Sequence, residues 1–456
     1  MMKKWTIAFL TASMLVAGCG GGNNPTERIS PQASKVLDDE LAAVQSDPAH
    51  PLASLAVLAV RGNAVVYEGY FGQRSVDKDL PANADTLYRI ASVSKTMTSI
   101  GFMKLVEQGR IDLDADVSTY LGFSLRNPAA PDDAITSRML LSHTASLRDP
   151  QDLLGFTVEQ SLETALAQVD STSGLPSFWA NDTAKAPSKA FFNYANVNFA
   201  VVATIIERVA QQRFDLYMKQ ALLDPLRIKG GYYPFDNLES GDFDNLATLY
   251  RKRDSEGVWD AEGAWFAQGP DRTGEPTAAI ENIDNYVVGS NAGIFGPQGS
   301  LRISARSLGL VMRMLLNQGK INGVTILQPA TVALMATPQW TYNDDTTAPN
   351  GDTYYDLFFQ WGLGLQIFTD RGGSAASGDR VGSEAGGFKG VGHLGEAYGL
   401  LSAFIFDPVA KDGLIYLMGG LGDDPNNNLG SYSAFYGWEE SVLRSLYQRA
   451  VLQITD

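Results

Sequence analysis

Strand patterns occur near both ends of the chain with a long middle between them, and this arrangement limits the possible folds more than any other feature. Residues 55–60 and 64–70 are predicted as two strands joined at Gly62-Asn63, a dipeptide typical of a tight hairpin turn. Three further stretches have strand composition, at residues 363–369, 399–407 and 413–418. We therefore predict an α+β fold whose antiparallel sheet is built from both chain ends and covered by helices.

Helical patterns fill the middle of the chain. Residues from about 112 to 223 are predicted to be mostly helical, with loops at 127–133 and 171–189, and to form an inserted all-helical lobe. Two more helices are predicted at residues 304–317 and 438–453, the second of them amphipathic. The stretches 235–286 and 342–358 are acidic and rich in glycine and aromatic residues, so we expect long loops that shape a cleft.

The start of the chain has the pattern of a bacterial secretory signal. Two lysines precede an apolar run too short to span a bilayer comfortably, and small residues stand directly before Cys19. This pattern resembles the lipoprotein processing site, at which the cysteine is lipidated and becomes the first residue of the mature protein. We predict a signal peptide at 1–18, a lipidated Cys19 and a flexible tether over 19–33. The alternative is an ordinary secretory signal with an incidental cysteine.

The composition limits the possible binding partners of the protein and its expected location. Cys19 is the only cysteine, so no disulfide can form within the chain. The formal net charge is −16, and because the signal segment contributes only Lys3 and Lys4, the rest carries −18. Such a charge argues against nucleic acid and anionic membrane surfaces as partners. No apolar run of transmembrane length follows the signal, so we expect attachment to the cell envelope by the lipid anchor alone, facing the periplasm or the cell exterior.

Ser92 and Lys95 lie three residues apart at the start of the most continuously apolar helix in the chain, predicted over 92–109. Residues at this spacing share a helix face, so the lysine amine can reach the serine hydroxyl, and free N–H groups at the helix start can stabilise a developing negative charge. A lysine on a buried helix is costly unless it is paired or partly neutral, and a neutral lysine can accept a proton. The pair therefore predicts a nucleophilic serine in an acyl-transfer enzyme.

The Ser-x-x-Lys pattern is weak evidence by itself, because it occurs twice. The second copy, Ser75 to Lys78, lies in a polar stretch between two predicted strands, and we interpret it as surface. For Ser92 the alternative is an N-cap serine whose neighbour Lys95 is a solvated first-turn residue. Apolar residues around nearly the whole circumference of the 92–109 helix indicate burial and favour the catalytic interpretation.

Several segments occur in an order that resembles the class C beta-lactamase superfamily, which includes penicillin-binding proteins, family VIII-type carboxylesterases and D-amino-acid peptidases. They are residues 88–95, 109–114, 135–144, 192–196, 299–304, 361–364 and 392–395. The resemblance covers nearly the whole chain. It implies one catalytic domain over 34–456 with a beta-lactamase or transpeptidase-like fold.

The resemblance gives a role to Tyr194-Ala-Asn196, the only Tyr-x-Asn in the chain. In similar enzymes the tyrosine oxygen takes the serine proton and later returns it to the leaving group or activates water. A tyrosine with a pKa near about 10 is a poor base at neutral pH, so Lys95 beside Tyr194 is expected to favour the phenolate. Asn196 is expected to hold the lysine and the substrate. The alternative is that Tyr194 is an aromatic core residue.

The third motif is His393-Leu-Gly395, which is unique as His-x-Gly and precedes the strand predicted at 399–407. The resemblance implies that backbone N–H groups of Ser92 and Glu396 form the oxyanion hole. Beta-lactamases have Lys-Thr-Gly at this point, and a histidine, mostly neutral at pH 7, offers no fixed cation to a penicillin carboxylate. The alternative is that His393 is a packed strand residue.

Together these motifs predict a serine hydrolase that forms an acyl-enzyme at Ser92 and acts on small esters, amides or D-amino-acid peptides, with no cofactor and no metal. A beta-lactamase or D-alanyl-D-alanine carboxypeptidase and a non-hydrolytic penicillin-binding or sensing module are the alternatives. No Gly-x-Ser-x-Gly elbow, His-Glu-x-x-His motif or glycine-rich phosphate loop is present in the sequence. Of the three histidines, His50 has no assigned role and His143 is interpreted as structural.

Overall fold

The computed structural model describes residues 28–150, 156–253, 256–269, 280, 282–373 and 377–454. The signal peptide predicted at 1–18 and the lipidation site Cys19 lie outside these residues. The last residues of the tether predicted over 19–33 are helical, because a helix begins at Pro31. The Ser30 hydroxyl caps this helix by accepting a hydrogen bond from the Ala33 N–H.

The bounds of the strands and helices are as follows. In chain order the strands are β1 (Ser54–Arg61), β2 (Ala64–Ser75), β3 (Leu80–Pro81), β4 (Tyr88–Arg89), β5 (Gly230–Gly231), β6 (Tyr250–Arg251), β7 (Phe266–Ala267), β8 (Arg302–Ile303), β9 (Lys320–Ile321), β10 (Val324–Thr325), β11 (Trp340–Thr341), β12 (Gln360–Trp361), β13 (Gln366–Ile367), β14 (Val391–Ala397), β15 (Leu400–Asp407), β16 (Asp412–Met418) and β17 (Gly420–Leu421). The α-helices are α1 (Pro31–Gln45), α2 (Val93–Glu107), α3 (Ser118–Leu121), α4 (Ser137–Leu141), α5 (Leu162–Leu166), α6 (Val197–Ala210), α7 (Phe214–Met218), α8 (Pro234–Asn237), α9 (Ala305–Leu316), α10 (Pro329–Met335) and α11 (Gly437–Ser445). Helices α7 and α11 continue as π-helical turns over Lys219–Leu223 and Leu446–Val451.

One antiparallel sheet joins the two ends of the chain. Its nine strands run in the order β11-β12-β13-β14-β15-β16-β1-β2-β3. The N-terminal hairpin therefore pairs with a C-terminal strand, with Leu55 opposite Met418 and Val60 opposite Gly413. This confirms the predicted α+β fold.

Helices cover both faces of the sheet, and β1 contributes to the core on each side. Alternate side chains of a strand point to opposite faces. Leu55, Val57 and Ala59 join the core with α1 and α11, whereas Ala56, Leu58 and Val60 join the core with α2, α6 and α9. Every residue of β1 is buried, which explains its unbroken apolar sequence.

The lobe predicted over about 112–223 contains helices and no named strand among its described residues, but most of these helices are short. Only α6 is long, and the short helices α3, α4, α5 and α7 are separated by irregular segments. Asparagine and aspartate side chains in these segments accept hydrogen bonds from the backbone two or three residues ahead, as Asn127 does from Ala129 and Asp170 from Ser173. Such local bonds stabilise turns in place of helix.

The two stretches predicted as loops differ from each other. Residues 235–286 contain β6, β7 and short helical turns, whereas 342–358 is irregular and lies beside the site described below. The predicted strand at 363–369 is only the two-residue β13. The His393-Leu-Gly395 motif precedes β15, as predicted, and itself lies within a further strand, β14, which turns at Gly399 into β15. Within the described ranges, no helix combines the length and apolar character needed to cross a membrane.

Candidate active site

Ser92 stands at the first turn of α2, directly after a strained residue. Ala91 has a φ of 45°, a left-handed conformation that costs a residue other than glycine roughly 1–2 kcal/mol. The Ser92 side chain makes no capping hydrogen bond and is partly exposed, whereas every residue from Val93 to Met103 is buried. The Ser92 hydroxyl is therefore not used as an N-cap, and the residue remains partly exposed at the end of a buried helix.

The Lys95 amine contacts three oxygens. Its Nζ lies 2.9 Å from Ser92 Oγ, 2.7 Å from Asn196 Oδ1 and 3.1 Å from the Gln298 carbonyl oxygen, and the side chain is fully buried. The amide and carbonyl oxygens can only accept hydrogen bonds. A neutral amine that donates to both would direct its remaining lone pair toward the Ser92 hydroxyl, which is the geometry a base requires.

Burial lowers the pKa of Lys95 to about 7, against an opposing effect of the Asp149 carboxylate. A substantial fraction of the amine is therefore neutral at neutral pH. This matches the prediction that a buried lysine at this position can accept a proton. It also means that Lys95 itself, and not a neighbour, has the pKa suited to a general base.

Asp149 fixes the orientation of the Asn196 amide. Asn196 Nδ2 donates to Asp149 Oδ2 at 2.9 Å, so Oδ1 is the atom that faces Lys95. The same carboxylate accepts from the backbone N–H groups of Asn196 at 2.7 Å and Val197 at 2.9 Å, at the start of α6. A carboxylate is favoured at a helix N-terminus, where the first N–H groups lack partners.

Tyr194 lies within reach of both reacting groups. The Ser92 side chain is close enough to the Tyr194 hydroxyl to lower its pKa, and the centre of the Tyr194 ring is 4.8 Å from Lys95 Nζ. Burial nevertheless raises the pKa of Tyr194 above its usual range. The expectation of a Tyr194 phenolate is therefore not met, because desolvation of the phenolate outweighs the opposing effect of Ser92 and is reinforced by Tyr354 and Asp149. The group present is a neutral phenol, which can donate a proton.

Strand β14 brings Gly395 against the nucleophile. A methyl group on Gly395 would stand 3.0 Å from the Ser92 nitrogen and 2.4 Å from Ser402 Oγ, so only glycine fits. Strand β13 pairs with β14 only at Val391 and Gly392, which leaves the following residues without a strand partner on that side. The N–H groups of Ser92 and Glu396, predicted as oxyanion donors, thus belong to adjoining backbone segments.

His393 is buried next to these groups. Burial, followed by the charge of Lys95, lowers its pKa to about 3, so the ring is neutral at physiological pH. Its Nδ1 donates to the Leu394 carbonyl, and its Nε2 has no hydrogen-bond partner in the described part of the chain. His393 therefore supplies no positive charge at the place where beta-lactamases are expected to carry a lysine.

Comparison with known proteins agrees with this geometry. The family model described as Beta-lactamase matches residues 40–434. The chain belongs to the beta-lactamase family. Protein flp of Staphylococcus aureus (strain MRSA252) is 26% identical to this family member over 185 residues, which are 41% of this chain and 36% of flp. The match therefore spans about a third of that relative.

Solved structures of the same fold extend the likeness over almost the whole of this beta-lactamase family member. EstCE1, described as a hydrolase with promiscuous acyltransferase activity, superposes with a TM-score of 0.59 at 21% identity and covers 91% of this chain and 99% of its own. The D-amino acid amidase from Ochrobactrum anthropi SV3 gives a TM-score of 0.60 at 17% identity, with coverages of 91% and 98%. These likenesses establish a shared fold, which does not fix the substrate.

Aromatic rings line one side of the site in this beta-lactamase family member. Ring centres near that of Tyr194 are those of His143 at 4.5 Å, Phe358 at 5.5 Å, Tyr354 at 5.7 Å, Trp361 at 5.8 Å and His393 at 5.9 Å. Tyr354 and Phe358 come from the 342–358 loop, which confirms that this loop shapes the cleft. The close stacking of His143 was not expected from the sequence.

The structure thus brings Ser92, Lys95, Tyr194 and Asn196 together and places Gly395 and His393 beside them. Sequence analysis missed Asp149 and Gln298. An aspartate before a proline carries no motif, and a backbone carbonyl carries no side-chain signal at all. His50 lies elsewhere, with Nδ1 3.0 Å from an Asp423 oxygen.

Proposed function

We propose that this protein is a serine hydrolase in which Ser92 is the nucleophile and Lys95 the base that activates it. The observation that carries the proposal is the Lys95 amine, buried and 2.9 Å from the Ser92 hydroxyl oxygen. Its other two partners only accept hydrogen bonds, and its pKa is lowered to about 7 by burial. At neutral pH such an amine can take the Ser92 proton.

The reaction proceeds through an acyl-enzyme. Lys95 takes the hydroxyl proton as Ser92 Oγ bonds to the substrate carbonyl carbon, and the oxyanion accepts hydrogen bonds from the N–H groups of Ser92 and Glu396. The leaving group departs with a proton from the Tyr194 hydroxyl, and Lys95 passes the serine proton to Tyr194. Water then attacks the acyl carbon and gives a proton to Tyr194 and Lys95. The bond between the acyl carbon and Ser92 Oγ breaks, the proton passes to Oγ, and the carboxylic acid is released.

Small esters, small amides and D-amino-acid peptides are the proposed substrates. Penicillins and peptidoglycan stems carry a carboxylate, and the neutral His393 ring offers that group no fixed charge. EstCE1 is described as a hydrolase and another protein of this fold as a D-amino acid amidase, which supports cleavage of an acyl bond as the class of reaction. We further propose that the protein acts in the bacterial cell envelope, held by a lipid on Cys19.

The deciding experiment compares the chain from residue 20 onward with its Ser92→Ala variant in the hydrolysis of p-nitrophenyl acetate and butyrate. Turnover that disappears in the variant, together with an acyl adduct on the peptide that contains Ser92, supports the proposal. Equal turnover in both proteins, or none in either, rejects it.

Parallel substrates rank the remaining alternatives. D-Alanine amide, a D-alanyl-D-alanine peptide and a chromogenic cephalosporin are offered under the same conditions. Faster cleavage of the cephalosporin or the peptide than of the esters would favour a beta-lactamase or a carboxypeptidase. Stable acylation by penicillin without release would favour a penicillin-binding or sensing module.

A further inference from the structure

His143 is joined to the Tyr194-Ala-Asn196 segment by its backbone and by its ring. The His143 carbonyl oxygen accepts from the Asn193 N–H at 2.9 Å, and His143 Nδ1 accepts from the Ala195 N–H at 3.1 Å. The two ring centres of His143 and Tyr194 are 4.5 Å apart with the planes tilted by 31°. These contacts hold the backbone on both sides of Tyr194.

The hydrogen bonds define the tautomer of His143. Besides the Ala195 N–H, Nδ1 lies 3.1 Å from Asn198 Nδ2, and that amide nitrogen also donates to the Ala195 carbonyl oxygen. Both neighbours of Nδ1 are therefore donors, so Nδ1 must carry a lone pair and the proton must reside on Nε2. If Nδ1 were protonated, its N–H would face two other donors, the Ala195 N–H and the Asn198 amide nitrogen.

The surroundings keep this ring neutral and fixed. His143 is 1% exposed, and burial lowers its pKa well below the usual value. The edge of the ring meets Trp361, whose ring centre is 5.1 Å away, and His143 Nε2 has no hydrogen-bond partner within the described residues. His143 also has a φ of 56°, in the left-handed region. A buried polar group in a strained backbone persists where its surroundings over-determine it.

We propose that His143 is a positioning residue that sets the places of Tyr194 and Asn196 relative to Lys95, through its Nδ1 acceptor. Ala195 lies between these two residues, so the hydrogen bond to its N–H fixes both side chains at once. This inference rests on the proposed function, in which Tyr194 transfers a proton and Asn196 orients the Lys95 amine. Displacement of such groups by about 1 Å can cost roughly 10²-fold in rate.

Two matched variants separate the acceptor from the ring. In His143→Asn, Oδ1 occupies the position of Nδ1 and can still accept from Ala195, and asparagine tolerates a positive φ. In His143→Phe, the ring can still stack on Tyr194 but no acceptor remains. We expect His143→Phe to lower kcat for p-nitrophenyl acetate about 30-fold or more with little change in KM, and His143→Asn to recover most of that loss.

Rates are expressed per acylatable Ser92, measured from the burst of p-nitrophenol, so that loss of folded protein does not count as loss of kcat. A merely structural role would lower the melting temperature of both variants and leave the rate per site unchanged. Equal rates per site in the wild type and His143→Phe would overturn the proposal.

A second measurement needs no variant. In ¹⁵N NMR of the wild-type protein between pH 5.5 and 8.5, we expect an unprotonated Nδ1 and a protonated Nε2 for His143 throughout. A protonated Nδ1 in that range would overturn the proposal even if His143→Phe does not fold. If the wild type shows no Ser92-dependent turnover, the proposed function fails, and the tautomer still tests the hydrogen bond.

Discussion

The chain contains two Ser-x-x-Lys segments, and the structure gives their lysines opposite environments, although Ser75 is itself buried. Ser75 to Lys78 lies at the turn between β2 and β3, where Lys78 is exposed. Ser92 to Lys95 lies at the start of α2, where Lys95 is fully buried and reaches Ser92 Oγ at 2.9 Å. The same four-residue pattern thus gives an exposed turn lysine in one place and the proposed base and nucleophile in the other.

The difference shows that the Ser-x-x-Lys spacing indicates a catalytic pair only when the two residues lie on a helix and the lysine is buried. In a helix, residues three apart share a face, and in a turn they need not. Burial then changes the chemistry, because it lowers the pKa of Lys95 to about 7 while an exposed lysine keeps its full hydration. The predictions below test each part of this comparison.

Replacement of the two serines should give the largest contrast. Ser92→Ala removes the proposed nucleophile and should reduce ester turnover by roughly 10⁴-fold or more, because alanine has no hydroxyl to form the acyl-enzyme. Ser75→Ala should leave the rate per folded molecule within about twofold. Initial rates with p-nitrophenyl acetate check this. Comparable losses in both variants would contradict the distinction between the segments.

Replacement of the two lysines should give a smaller but clear contrast. Lys95→Met removes the base while keeping a long side chain, and should lower kcat/KM by roughly 10³-fold, in the range attributed to general base catalysis. Lys78→Met should change neither kcat nor KM measurably. Steady-state kinetics with the same ester decide between them, and retention of wild-type rates by Lys95→Met would remove Lys95 from the mechanism.

The same lysine pair should also differ in stability. The folded pKa of Lys95 is about 7 and its ordinary value is 10.5, so between these pH values the unfolded chain binds a proton that the folded chain does not. The free energy of unfolding must therefore rise with pH across that window. Lys95→Met should lack this slope and should gain on the order of 2 kcal/mol at pH 7, after allowance for its lost hydrogen bonds. Urea titrations at pH 7 and 9.5 measure both effects, with Lys78→Met as the control that should resemble the wild type.

Tyr194→Phe tests whether the phenol donates a proton beside the buried pair. We expect a loss of roughly 10²-fold in kcat with esters of poorly acidic alcohols, because their leaving groups need a proton. The loss should be smaller for p-nitrophenyl esters, whose leaving group departs as an anion. An equal loss for both kinds of ester would favour Tyr194 as the base instead of the proton donor.

Asp149→Asn should give the smallest change in activity, and it should specifically alter the pH dependence. Activity should rise with pH and reach half its maximum near pH 7, where Lys95 loses its proton. The Asp149 charge raises the pKa of Lys95, so its removal should shift the half-maximal activity to lower pH. Because the asparagine holds Asn196 less firmly, the maximal activity at high pH should fall several-fold. Asp170→Asn, in a turn where the carboxylate accepts from Ser173, is the control. A half-maximal activity that stays at the same pH would show that Asp149 does not tune Lys95.

Sequence analysis predicted the parts of the fold whose signals are local. The β1–β2 hairpin, β15, β16, α9 and α11 were anticipated because each carries its own apolar pattern and turn residues. The helical content of the lobe was overestimated outside the predicted loops at 127–133 and 171–189, because α3, α4, α5 and α7 are short and periodicity does not reveal where a helix ends. The ionisation of Tyr194 was misjudged because the extent of burial is a tertiary property.

The site could be predicted only as far as its motifs extend. Ser92 and Lys95 are three residues apart, whereas Asp149 meets Asn196 across 47 residues of sequence and Gln298 meets Lys95 across 203. His143 likewise meets Ala195 across 52 residues. No spacing rule links residues so far apart, and partners of this kind are found only when the chain is folded.

The pairing of β1 with β16 has a consequence for folding during synthesis of the protein. Leu55 lies opposite Met418, so β1, the first strand to be synthesised, cannot pair with β16 until that strand, one of the last, has been made. Gly395, which completes the surroundings of Ser92, is also made late. Contacts so distant in sequence slow folding, and a nascent or truncated chain carries its nucleophile without the strand that completes its site. The proposed active site is therefore complete only after most of the chain has been synthesised.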